Sequence, residues 1–347
     1  MNKILFFLAF VSFVFGAERW IVVTTIQPPT PQLRKLAAME GWRLVVVGDL
    51  KTPIDWHLDG CEYLSPQRQK ELGYELSLLL PWNHYGRKNI GYLYAIEQGA
   101  KVIYETDDDN EPLGELKWCE VPLVMSGTGK CLNIYRYFGQ PEIWPRGFPL
   151  DQIGVEDAFQ VGSPGGSIGI EQGLVNGSPD VDAIFRLTQD RNVVFDPQPT
   201  CYLQPGIFCP FNSQNTFIHE KAFFTLYLPC TVSMRVSDIW RGYIAQRLIW
   251  EQGDVLAFSG PSAVQERNAH VLMHDFELEL DLYRKGGSLV DFLSQWQGSD
   301  REPYSQLTDV YGGLVQNGFF AERENLLLAA WIRDFKRARE KKESTKW

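Results

Sequence analysis

Three apolar, β-branched runs dominate the first third of the chain: Arg19 to Ile26 (RWIVVTTI), Trp42 to Asp49 (WRLVVVGD) and Lys101 to Thr106 (KVIYET). None alternates apolar with polar residues, so each is predicted to be a strand covered on both faces, as in a parallel sheet flanked by helices. The intervening segments carry helical signals. Pro31 to Met39 and Gln67 to Leu80 read as helices, the second stopped by Pro81, and Arg87 to Gln98 carries Ile90, Leu93 and Tyr94 at i, i+3, i+4 as a buried stripe. This βαβα order predicts an α/β fold with a central, mostly parallel sheet. Its strand ends Thr24/Thr25, Gly48/Asp49 and Asp107/Asp109 open onto one crevice, where such sheets bind ligands.

The third run leads straight into Asp107-Asp108-Asp109-Asn110. Alternate residues of an extended chain point the same way, so Asp107 and Asp109 are expected to face one ion, with Asp108 completing the cluster. Carboxylate oxygens suit Mg or Mn, which keep coordination positions for substrate phosphates. A nucleoside diphosphate departing from a sugar needs its charge neutralised, and such an ion does this as a Lewis acid. A solvated turn or helix cap is the plainer alternative, but it does not explain why the triplet ends a βα array. Arg87, Lys88 and Asn89 open the preceding helix, where N-terminal amides favour anions.

The remainder is less regular. Short strands are expected at Ala183 to Leu187 and Phe217 to Leu228, and helices at Trp240 to Gln252, Val271 to Arg284 and about Ala321 to Arg339. Asp238, just before one of these helices, reads either as its N-cap or as a general base for an acceptor hydroxyl; Trp240 either stacks on a sugar or fills core. His270 and His274 lie one turn apart, so one of them is a candidate further metal ligand. Gly127 to Lys130, followed by Cys131 and lacking the first glycine of the P-loop spacing, and Gly162 to Gly169, with no clear strand before it or helix after it, only imitate phosphate loops and read as flexible loops at a site.

With 44% hydrophobic residues the chain can bury a sizeable core, and a formal charge of -10 argues against a broad nucleic-acid surface. Residues 1–17, one lysine followed by an apolar run and Gly16-Ala17, have the layout of an export signal or signal anchor, giving possible membrane association at that end. The expected location is therefore the secretory lumen or outside the cell, or the periplasm in a bacterium. There some of the six cysteines would be free to pair, although their spacing does not say which.

The stretch Pro81 to Asn110, PWNHYGRKNIGYLYAIEQGAKVIYETDDDN, resembles the STELLO family of glycosyltransferase-like proteins. The likeness extends from about Glu18 to Glu279 and includes ERWIVVTTI, VNGSPDVDAIFRLT (Val175 to Thr188) and RVSDIWRGYI. The acidic triplet and Asp238 to Gly242 are also similar to the reversibly glycosylated polypeptides, which include UDP-arabinopyranose mutases. The resemblance implies a GT-A fold over 18–300, with a nucleotide-binding half (18–112) and an acceptor half (113–300), followed by a helical extension (301–347). It implies a UDP- or GDP-linked sugar donor, a Mn or Mg ion, and a glycan, lipid or protein acceptor. Asp109 would hold the metal, Asp107 would approach the metal or ribose, and His274 would correspond to a late histidine ligand. Thr24, Thr25 and Asp49 would lie near the base, Arg87 and Asn89 near ribose and phosphates, and Asp238 on the acceptor side. A nucleotide-sugar mutase and a non-catalytic assembly factor are the alternative functions.

Overall fold

A computed structural model describes residues 18–155, 158–189, 191–266 and 271–344; the export segment at 1–17 and His270 lie outside the described residues. In the first half the strands are β1 (Arg19–Thr25), β2 (Arg43–Gly48), β3 (Cys61–Leu64), β4 (Val102–Thr106), β5 (Asn110–Pro112) and β6 (Leu123–Gly127). In the second they are β7 (Phe159–Pro164), β8 (Ile168–Gly177), β9 (Cys201–Leu203), β10 (Asn215–His219) and β11 (Val255–Gln265). The helices are α1 (Pro31–Ala37), α2 (Pro66–Glu71), α3 (Glu75–Leu79), α4 (Lys88–Glu97), α5 (Ala183–Thr188), α6 (Met234–Glu251), α7 (Leu272–Leu278), α8 (Leu280–Gln295), α9 (Pro303–Gln316) and α10 (Arg323–Ser344).

All strands join one sheet in the order β3-β2-β1-β4-β10-β8-β11-β9-β6-β7, with β5 on β11. The expected parallel arrangement holds through β3-β2-β1-β4, where the chain returns over the sheet after β1 and β3 by way of helices. β10 then runs antiparallel to both β4 and β8, and β8 and β11 pair in parallel over a long, bulged stretch. The strand cores Trp20 to Val23 and Val45 to Val47 are buried, as their apolar runs require. Gly91 lets α4 lie close on β1 and β2, since a Cβ there would stand 2.7 Å from Val22 and 2.8 Å from Val47.

Several expectations change. Ala183 to Leu187 forms helix α5, because the Asp182 side chain caps the Phe185 amide. Phe217 to Leu228 is strand only to His219 and continues as a 3₁₀ turn. Gln67 to Leu80 is split by Gly73, whose φ of 73° a helix does not tolerate. Residues 162–169 belong largely to β7 and β8 and do not line the main cavity. The structure contains no disulfide among its six cysteines, so the expected pairing of some of them is not seen.

The region 301–347 supplies α9 and α10. α10 packs against α3 and α4, burying Leu327, Leu328, Trp331 and Phe335. Its Asp334 carboxylate accepts the Glu75 and Leu76 amides at 3.1 and 2.8 Å, capping the start of α3. Among the described residues, no helix is long and apolar enough to cross a membrane.

Candidate active site

A cavity of about 440 Å³ opens at the ends of β1, β2 and β4 and is closed on its far side by residues around 146, 180 and 235–238. Thr24, Thr25, Asp49, Arg87, Asp107, Asp108, Asp109 and Asp238 all line it, so most of the residues expected at the site meet there.

The acidic strand end is braced residue by residue. Asp107 Oδ1 accepts from the Tyr85 hydroxyl at 2.9 Å, with the Lys88 ammonium at 3.4 Å. Asp108 accepts from Thr25 Oγ1 at 2.5 Å, and its carbonyl accepts from Thr30 at 2.6 Å. Asp109 Oδ2 accepts from the Gln265 amide at 3.0 Å. Burial, reinforced by the neighbouring charge of Asp107, pushes the Asp109 carboxyl up to about 6, and burial also raises Asp108. Three carboxylates crowded beside one ammonium, Lys88, carry more negative charge than it cancels, which is the chemistry a hard divalent cation fits. Among the described residues, no three His, Cys, Asp or Glu side chains gather to enclose an ion by themselves. Two carboxylates facing a cavity nevertheless match an ion that takes its remaining oxygens from water and phosphate.

Asp49 is a brace as well as a lining residue. Its Oδ1 accepts the Leu50 and Asn83 amides at 2.7 and 2.8 Å, and its Oδ2 accepts the His84 amide at 3.1 Å. These bonds fix Asn83 at a φ of 53°, in the left-handed region that asparagine adopts more readily than most non-glycine residues.

The opposite wall is built on Arg146. Its guanidinium donates to Asp180 at 2.7 and 2.8 Å and to Asp238 at 3.2 and 3.0 Å. Burial would raise Asp180, but Arg146 outweighs it and holds the carboxyl at about 2. Asp238 lies inside α6, whose N-cap is Ser233, so the cap reading of Asp238 is corrected. Further along α6, Trp240 is core, packed edge-on against Phe319 and Phe320, and Arg241 pairs with buried Glu105 at 2.6 Å. Gly242 sits where a Cβ would come within 2.4 Å of the Phe211 carbonyl oxygen.

Three expected site residues point elsewhere. The Arg87 guanidinium touches the cavity but is committed to Gln69 and the Ser77 carbonyl and stacks 3.8 Å over Trp82. Burial lowers its pKa to about 10. Asn89 is fully buried and clamps the backbone of Leu228 through both ends of its amide. His274 lies on α7 with its side chain 64% exposed, 3.7 Å from Glu277, and does not line the cavity.

A profile of the STELLO glycosyltransferases matches residues 235–343, which begins at Arg235 and carries Asp238. The chain is also 36% identical over 344 residues to the probable glycosyltransferase STELLO1 of Arabidopsis thaliana and 35% identical over 346 residues to STELLO2 of the same plant; each alignment takes in 92% of this chain. The chain belongs to the STELLO family. It spans 44% and 45% of the length of these two STELLO relatives. Among solved structures it is similar to glucosyl-3-phosphoglycerate synthase of Mycobacterium tuberculosis with phosphoglyceric acid. That alignment covers 82% of this chain and 83% of the other, at 9% identity and a TM-score of 0.40. The complex of the same enzyme with Mn2+, UDP-glucose and phosphoglyceric acid aligns over the same shares with a TM-score of 0.38.

In this STELLO chain, sequence reasoning missed Arg146, Asp180, Gln265 and Tyr85 and gave Lys88 no role of its own. The first three meet the site only through contacts across the fold. Lys88 and Tyr85 lie beside the residues that were chosen, and the turn into α4 decides which of them face inward.

Proposed function

We propose that the chain is a GT-A-type glycosyltransferase that transfers a sugar from a UDP- or GDP-linked donor to a glycan, lipid or protein acceptor. The observation that carries this reading is the braced, net-negative strand end Asp107 to Asp109 facing the Asp180–Arg146–Asp238 wall across one cavity, in a chain of the STELLO family. Asp107 and Asp109 would hold a magnesium or manganese ion, which when bound supplies positive charge to the departing diphosphate. Thr24, Thr25 and Asp49 shape the nucleotide side of the cavity, while Asp180 and Asp238 offer acceptor oxygens to sugar hydroxyls. Export through residues 1–17 belongs to the same proposal and is checked by N-terminal sequencing of protein recovered from the secretory or periplasmic fraction.

The test incubates the protein with UDP- and GDP-sugars and manganese and follows products by mass spectrometry. Transfer or hydrolysis is expected, and it should vanish in Asp109→Ala together with metal-dependent donor binding. An Asp109→Ala protein that binds donor and manganese like wild type would overturn the metal assignment. One observation favours a second reading, donor binding without transfer: both oxygens of Asp238 are engaged by the Arg146 guanidinium, so neither faces the cavity without a partner. Unchanged donors despite measurable binding would select this second reading.

A further inference from the structure

Lys88 is the first residue of α4 and has no exposed surface. Lysine is almost never fully buried unless its charge is paired, because taking an ammonium out of water is unfavourable without an anion or acceptors to replace its hydration. Here Nζ donates to the Tyr85 hydroxyl at 2.8 Å, the Thr106 carbonyl at 2.8 Å and the Ser213 carbonyl at 3.0 Å. The anion it meets is Asp107, whose Oδ1 lies 3.4 Å away. The same Oδ1 accepts from the Tyr85 hydroxyl at 2.9 Å, so one oxygen of Asp107 is turned into the protein by two donors. Its Oδ2 makes no hydrogen bond among the described residues, and the side chain, 32% exposed, lines the cavity. Three carboxylates and this ammonium leave the strand end with two negative charges once all are ionised, the charge that one divalent cation cancels.

We propose that Lys88 is the resident counter-charge of the acidic strand end, a positioning residue that turns Asp107 and sets how strongly the cluster favours a divalent cation against a nucleoside diphosphate. The inference rests on the functional reading above and adds a residue to it. A fixed positive charge beside Asp107 opposes a cation and attracts a diphosphate, so its removal must move the two affinities in opposite directions. A bond that only orders Asp107 predicts something else: its loss weakens both.

Calorimetric titrations with MnCl₂ alone, and with UDP and GDP in the absence of metal, separate the two on wild type, Lys88→Met, Lys88→Arg and Tyr85→Phe. Lys88→Met is expected to bind Mn2+ roughly three- to tenfold more tightly and the diphosphates at least about tenfold more weakly. Tyr85→Phe, which removes a bond to Asp107 but no charge, is expected to weaken Mn2+ binding. Lys88→Arg, which keeps the charge, should stay within about threefold of wild type for both ligands. It also decides the matter if Lys88→Met does not fold. Weaker Mn2+ binding in Lys88→Met, or a Lys88→Arg protein that loses diphosphate affinity by about tenfold, overturns the counter-charge role and leaves the glycosyltransferase reading intact. A folded wild-type protein that binds neither Mn2+ nor either nucleotide overturns both.

Discussion

Arg146 is the side chain on which the wall facing the acidic strand end depends, and its replacement exposes a cost that counting hydrogen bonds would miss. Arg146→Met leaves Asp180 and Asp238 desolvated and facing one another, and removing one member of a buried ionic cluster costs about 3–5 kcal/mol. Urea unfolding should show that loss, and adding Asp238→Asn to Arg146→Met should recover part of it, because one of the two stranded charges is then gone. Asp109 yields a pH prediction. With its carboxyl raised to about 6, it is ionised at pH 7.5 but is protonated as pH falls below 6, so Mn2+ affinity should drop toward tenfold per pH unit there. A manganese titration at pH 5, 6 and 7.5 checks this; a flat profile would mean that Asp109 does not bind the ion. The three aspartates were legible because they are consecutive and end a strand. Arg146 was not, since its partners lie 34 and 92 residues away and nothing near Arg146 in sequence announces them.

At the level of elements, β1, β2 and β4 could be read directly, because two-sided burial leaves an apolar run; α4 was legible from its helically spaced apolar residues, although it is buried on every side from Lys88 to Ile96. Reading failed where a single polar residue decided the outcome. Asp182 turns 183–188 into a helix by capping it, although Ala183-Ile184-Phe185 looks strand-like by composition. Helix α6 begins about two turns before the point that the apolar pattern suggested, and that shift carries Asp238 from a cap position to the wall of the cavity. α6 also depends on Gly242 for its approach to the 208–213 segment. Gly242→Ala would set a methyl against the Phe211 carbonyl oxygen, and the required shift should cost about 1–3 kcal/mol, read as a lower thermal midpoint. The ordinary helix gain of alanine over glycine, ~1 kcal/mol, offsets only part of it.

Across the whole molecule, the sheet brings the parallel half β3-β2-β1-β4 and a mixed half together along β4 and β10, so neither wall of the cavity is complete without the other. Glu171, buried on β8 and accepting the Cys119 amide at 2.8 Å, ties the 113–122 segment to the sheet. Burial raises its carboxyl from 4.5 to about 7. The folded protein therefore keeps a proton that the unfolded chain has released. The associated stability is fully present below pH 4.5 and is lost as pH rises through about 7. Unfolding measured from pH 5 to 8 should show this slope, roughly 1–3 kcal/mol in all, and Glu171→Gln should flatten it.

The Asp334 cap on α3 joins residues 259 positions apart in the chain. During synthesis, α4 leaves the ribosome long before α10 exists to pack against it, so the nascent chain carries an incompletely covered helix until then. The scaffold beneath the acidic turn is thus finished among the last parts of the fold, and substitutions in α10, far from any ligand, should act first on the yield of folded protein rather than on the chemistry of the molecules that do fold.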